Sequence, residues 1–135
     1  MMNKRHLMRA TVAAALAITA SGSWAQSEPF RVGLLLPLTG PFASTGKQLE
    51  SGARLYLAQH GDTVAGRKIE LIVRDDTGTP DITKRLAQEL VVNQKVHVLA
   101  GFGLTPLALA TAPIATQSKT PLVVMAAATS SITEA

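Results

Sequence analysis

The stretch FRVGLLLPLTGPFASTGKQLESGARLYLAQ, residues 30–59, decides the architecture. FRVGLLLP (30–37) is a short, nearly continuous apolar run closed by proline, and it reads as a strand buried on both faces. A loop containing Gly40 and Pro41 follows. GKQLESGARLYLAQHG (46–61) then places Leu49, Ala53, Tyr56, Leu57 and His60 on one helical face, with Gly61 suited to the stop. A doubly buried strand feeding an amphipathic helix is the opening unit of an α/β sheet.

The loop between them ends in Gly46-Lys47, which invites a nucleotide reading. A phosphate-binding P-loop needs G-x-x-x-x-G-K-[ST]. Here Pro41 to Thr45 put one residue too many between Gly40 and Gly46, and Gln48 stands where the magnesium-binding hydroxyl belongs. Pro37 and Pro41 also lack the N–H groups on which a phosphate cradle depends. The loop is free to serve another ligand.

The pattern repeats downstream. DTVAGRK (62–68) reads as a turn and IELIVR (69–74) as a second strand. Thr79-Pro80 is a cap followed by proline at the first helical position, opening a helix to about Asn93 that buries Ile82, Leu86 and Leu90. KVHVLAG (95–101) is a third strand. Thr105-Pro106 opens a third helix, in which Pro113 should cause a kink or an early end. TPLVVMAAA (120–128) is a fourth strand. The order β-α-β-α-β-α-β predicts an open parallel sheet with helices on both faces, and right-handed crossovers favour strand order 2-1-3-4.

Residues 1–25 read as an export signal. MMNKRHLMR is basic, ATVAAALAITA is apolar but too short to span a bilayer, and SGSWA places Ser23 and Ala25 for cleavage after Ala25. The whole chain carries 13 Lys+Arg against 9 Asp+Glu, formally +4. Lys4, Arg5 and Arg9 belong to the signal, which leaves residues 26–135 close to +1. The basic residues there are scattered and no aromatic residues alternate with them, so nothing points to nucleic acid. The absence of cysteine leaves an exported domain of about 110 residues to rely on its core alone.

In such a sheet a ligand binds beyond the carboxyl ends of the strands, where the strand order reverses. The loops at that point are LTGPFASTG (38–46) and GFGLT (101–105). Phe42 and Phe102 lie in them, two of the four aromatic residues after residue 25. They either flank a ligand or pack beneath their own loops. Thr105, read as the cap of the third helix, sits beside free N–H groups at the positive end of the dipole, where a carboxylate would be stabilised; an ordinary cap is the plainer alternative. MAAATSS (125–131) offers small side chains and the Thr129 hydroxyl. Asp75-Asp76 suits turn and capping duty. His60 reads as a helix-end cation and His97 as structural. No spacing suggests a metal site, a cofactor or a catalytic residue.

FRVGLLLPLTGPFASTGKQLESGARLYLAQ, GRKIELIVRDDTGTPDITKRLAQELV, VLAGFGLTPLALATAPIA and PLVVMAAATSSI together resemble the periplasmic ligand-binding proteins of ABC transporters, of the branched-chain amino acid type. The resemblance implies that residues 26–135 correspond to most of the first of two α/β lobes, with the hinge and second lobe outside this chain. It implies that Thr105 contacts a ligand carboxylate and that Ala127 and Thr129 hold the head group. Thr45 stands where amino-acid binders often carry an aromatic ring, with Phe42 just upstream. The implied ligand is a small carboxylate-bearing solute such as a branched-chain amino acid or related acid, and that departure sets an aromatic or other carboxylate beside it as the competing ligand. An acidic partner for an amino group would lie in the second lobe. The implied partners are a small-molecule ligand and a membrane permease, and the implied location is the periplasm. A sensory or regulatory subunit of the same fold, and an α/β enzyme, remain as alternatives.

Overall fold

The computed structural model describes residues 27–133, so the expected export signal and cleavage site lie outside the described residues. The elements are β1 (Phe30–Leu36), α1 (Ala43–His60), β2 (Thr63–Val64), β3 (Arg67–Asp75), α2 (Pro80–Val92), β4 (Val98–Gly101), α3 (Thr105–Ser118), β5 (Leu122–Val124) and α4 (Ser130–Thr133). The sheet order is β2-β3-β1-β4-β5. β1 lies parallel to β3, with Leu34 opposite Val73, and parallel to β4, with Leu34 opposite Ala100. β5 continues in parallel beside β4. The four strands of the parallel part thus take the predicted 2-1-3-4 order.

β1 is central, and its sequence shows why. Leu34 and Leu36 turn to one face, where they pack with Ala100 against Leu49 and Ala53 of α1. Leu35 turns to the other face, into a cluster with Leu86, Ala87 and Leu90 of α2 and Leu107 and Ala108 of α3. All three leucines are buried, and each contributes about 1.5–3 kcal/mol on leaving water. Helices therefore cover both faces of the sheet.

Four expectations need correction. The sheet is mixed rather than wholly parallel: residues 62–68 are not only a turn but a hairpin, with β2 antiparallel to β3. Ala65 (φ 50°) and Gly66 (φ 76°) both take left-handed conformations, the pattern of a tight two-residue hairpin turn. Tyr56 and His60 do not join the buried stripe of α1. Tyr56 is 61% exposed and its ring stacks on His60 at 4.2 Å; both share the angular position of Leu49 and Ala53 but lie further along α1, where they pair with each other instead of joining the core. Thr105 is the first helical residue of α3, and Leu104, in extended conformation (φ −134°, ψ 145°), occupies the cap position. Finally, the early end offered at Pro113 does not occur, because α3 continues through it to Ser118. Leu109, whose carbonyl loses its helical partner to the proline, and Pro113 are both exposed, where water can satisfy that carbonyl.

Candidate functional site

Four loops meet at the carboxyl ends of the parallel strands, and specific contacts join them. Asp75, the last residue of β3, accepts the Leu38 N–H (2.8 Å) and the Thr77 N–H (2.9 Å) on Oδ1 and the Thr39 hydroxyl (2.7 Å) on Oδ2. The loop after β1 is thereby tied to the loop after β3. A side chain at Gly78 would lie 3.6 Å from both the Phe42 ring and Leu104, so these three residues and Pro37 come together. The Ala127 N–H donates to the Phe102 carbonyl (3.1 Å), which ties the loop after β5 to the loop after β4.

Phe42 precedes α1 and is 45% exposed. Thr45 lies in the first turn of α1 and is half-buried. Thr105 is half-buried at the start of α3. Pro106 has no N–H, and the Leu107 and Ala108 amides bond back to the Leu104 carbonyl at 3.2 and 3.4 Å. The Thr105 N–H is therefore the amide of this turn without an intrahelical acceptor, at the positive end of the dipole. The Thr129 hydroxyl pairs with the Ser131 hydroxyl at 3.0 Å, and both belong to the small-residue segment after β5. Phe42, Thr45, Thr105, Ala127 and Thr129 thus all lie beyond the carboxyl ends of three adjacent strands, β1, β4 and β5.

Phe102 does not share that exposure. It is 0% exposed and belongs to the core cluster beneath the loop. Gly101 (φ 118°) and Phe102 (φ 64°) take left-handed conformations in succession, which end β4 and turn the ring inward. The conformation is costly for a bulky residue. Two backbone bonds hold it, from the Phe102 N–H to the Leu35 carbonyl (2.9 Å) and from the Ala127 N–H to the Phe102 carbonyl. Of the two positions open for its ring, Phe102 takes the packed one, and the Ala127 amide is engaged rather than free.

The adjacent acids differ sharply. Partial burial pulls the Asp75 pKa upward, but the bonds from Thr39, Thr77 and Leu38 outweigh it and hold the carboxyl below its ordinary value. Asp76 is fully buried. Burial pushes its pKa up, the Gly78 N–H (2.9 Å) opposes this, and the charge of Asp75 adds to the rise. The Thr83 hydroxyl donates to the Thr79 carbonyl (2.9 Å), and Oδ2 of Asp76 has no partner among the described residues. Turn duty, as expected, describes both acids. Sequence reasoning did not anticipate that Asp75 reaches back to a loop 36 residues earlier.

No group of three or more acidic, His or Cys side chains suited to a metal occurs among the described residues. A hollow of about 500 Å³ lies instead between α1 and β3, lined by Arg54, Leu57, Asp62, Ile69 and Leu71. It sits away from the carboxyl ends.

An open α/β sheet covered on both faces, with joined loops at the switch point, is the architecture in which a ligand sits beyond the carboxyl ends of the strands. Residues 29–135 match the family described as periplasmic binding protein, and the chain belongs to that family. Over 123 residues it is 44% identical to a Leu/Ile/Val-binding protein homolog 6 of Brucella abortus, covering 90% of this chain and 31% of that protein. It is 64% identical to a solute-binding protein of an ABC transporter from Rhodopseudomonas palustris BisB5, solved in complex with 3,4-dihydroxybenzoic acid (TM-score 0.78, 78% of this chain, 29% of that one). It is 45% identical to a solute-binding protein from R. palustris HaA2 in complex with p-hydroxybenzoic acid (TM-score 0.75, 80% of this chain, 29% of that one). The chain therefore spans about a third of the length of these relatives.

Proposed function

We propose that this chain supplies the first lobe of an exported solute receptor for an ABC importer, and that its ligand is an aromatic carboxylic acid of the hydroxybenzoate class. The observation that carries the ligand class is the 64% identity to a lobe whose protein was solved with 3,4-dihydroxybenzoic acid. Thr45, in place of an aromatic ring, and the exposed Phe42 beside it support the same class. The carboxylate would face the start of α3, where the Thr105 amide and hydroxyl meet the positive end of the dipole. Thr129 would add a hydroxyl, and Ala127 would leave room through its small side chain. The leader ending at Ala25 directs export to the periplasm, and an inner-membrane permease is the partner. The name of the Brucella relative favours a second reading, a branched-chain amino acid at the same site.

Calorimetry on the full-length protein, recovered from the periplasm with Gln26 as its first residue, tests the proposal. 4-Hydroxybenzoate and 3,4-dihydroxybenzoate should bind, and leucine, isoleucine and valine should not. A bond to a charged group contributes roughly 1.5–3 kcal/mol, so Thr105→Val should weaken binding by about ten- to a hundredfold. Binding of the aliphatic amino acids alone would replace this reading with the second. Unchanged affinity in Thr105→Val would remove Thr105 from the site.

A further inference from the structure

We infer that Asp75 is a positioning residue of the ligand site, holding the loop after β1 in register with the loop after β3. The inference rests on the reading of the carboxyl-end crevice as the binding site. Asp75 reaches two separate segments at once: Leu38 and Thr39 on one side, and Thr77 on the other. Its three acceptor bonds engage both carboxylate oxygens. Within its own loop, the segment 37–42 has only short-range backbone support, such as the Ala43 N–H to the Gly40 carbonyl at 3.2 Å.

The tether matters because of the residues at the far end of that loop. Phe42 closes the segment and its ring lies 3.6 Å from where a side chain on Gly78 would begin, and Asp75 also holds the loop of Gly78 through the Thr77 N–H. Thr77 is left-handed (φ 54°), a conformation that a local acceptor for its amide helps to maintain. Thr45 stands in the first turn of α1, just beyond Phe42. One carboxylate therefore sets where Phe42 and Thr45 stand relative to Leu104 and the start of α3. The hydrogen bonds that favour its charged form agree with this role. The Asp76 carboxylate, by contrast, accepts only from the Gly78 N–H of its own loop, and the link of Asp76 to β1 is a backbone bond, from its N–H to the Leu36 carbonyl at 3.0 Å.

The experiment compares wild type with Asp75→Ala, Asp75→Asn and Thr39→Val in the full-length protein. Amide hydrogen exchange is the readout that requires no ligand. In Asp75→Ala, amides of residues 38–45 and 77–79 should exchange about tenfold faster or more, while those of β1 and β4 keep their protection. The affinity for 4-hydroxybenzoate should fall about tenfold or more, mainly through faster dissociation. Asn can keep the acceptor for Leu38 and Thr77, so Asp75→Asn should restore protection and most of the affinity. If Asp75→Ala does not fold, Thr39→Val removes one donor at an exposed residue and should show the same pattern on residues 38–42 in milder form. Wild-type exchange in both loops, a uniform rise across the whole sheet, or failure of Asn to rescue would each overturn the inference. If wild type itself ignores 4-hydroxybenzoate, the ligand reading fails, and the exchange data alone decide the role of Asp75.

Discussion

Two glycines in α1 should respond to alanine in opposite directions. Gly46 is the one buried residue of that helix and lies in its first turn, against the loop that leaves β1. A Cβ there would stand 2.7 Å from the carbonyl carbon of Pro37 and closer still to the carbonyl oxygen. Ordinary contact begins near 3.4 Å, so clearing the carbonyl carbon alone needs a withdrawal of about 0.7 Å, and clearing the nearer oxygen needs more. The obstacle is backbone, and Pro37 is among the fully buried residues, so the loop has little room to yield. Alanine gains up to about 1 kcal/mol in helix propensity over glycine. Overpacking costs about 1–3 kcal/mol, toward the upper end against backbone. Gly46→Ala should therefore lose about 1–2 kcal/mol net. Gly52 is exposed in the same helix, with nothing within 4 Å of its added methyl. Gly52→Ala should gain about 0.5–1 kcal/mol.

Urea denaturation of both variants measures the difference, read from midpoints at constant slope. Ligand affinity should separate them as well. Thr45 and Phe42 stand at the start of α1, so a displaced first turn moves them, whereas Gly52 lies further along the helix. Gly46→Ala as stable as Gly52→Ala would refute the packing argument, and the claim that Gly46 exists for close approach would fall with it.

Two more outcomes rest on single side chains. Burial and the charge of Asp75 raise the Asp76 pKa, so the folded state binds a proton more tightly than the unfolded one; wild-type stability should fall as pH rises from about 3.8 through the raised value, and Asp76→Asn should abolish that fall, with parallel denaturation profiles between pH 4 and 8 counting against it. Aromatic contacts add about 0.5–1.5 kcal/mol beyond area burial, so Phe42→Leu should weaken 4-hydroxybenzoate binding by roughly two- to tenfold without altering the urea midpoint, and unchanged affinity by calorimetry would take Phe42 out of the site.

The scaffold is legible in the sequence because its signals are local. Leu34, Leu35 and Leu36, in a short run closed by proline, suit a strand covered on both faces, and right-handed crossovers then favour the observed order of the four parallel strands. The corrections arise where the signal is short or crosses the chain. β2 is two exposed residues with no apolar alternation to reveal it. The cap of α3 lies one residue earlier than expected because Thr-Pro fits the first two helical positions as well as cap and first position. The inward turn of Phe102 comes with a positive φ at a bulky residue, which sequence does not announce. Asp75 is the turn residue its sequence suggests, but its bonds to Leu38 and Thr39 exist only after β1 and β3 have paired.

The burial of Phe102 changes how an aromatic acid would be held. Two phenylalanines on this lobe cannot sandwich a flat ligand, because one of the rings has no exposed surface. Phe42 alone remains on the crevice side, so of the two rings this lobe can offer a ligand only one, with hydroxyl and amide donors at Thr105 and Thr129 for the polar end. On the proposed reading, covering the second face of the ligand would then fall to groups outside residues 27–133. This lobe would fix the carboxylate and one edge of the ring, and chain elsewhere would read the substituents that distinguish one hydroxybenzoate from another. Phe102 still serves the site, but from below. Its ring anchors the turn after β4, its carbonyl holds Ala127, and the helix that presents Thr105 starts shortly after it. An aromatic residue that sequence offers as a ligand contact is better understood as what keeps two of the site's four loops in place.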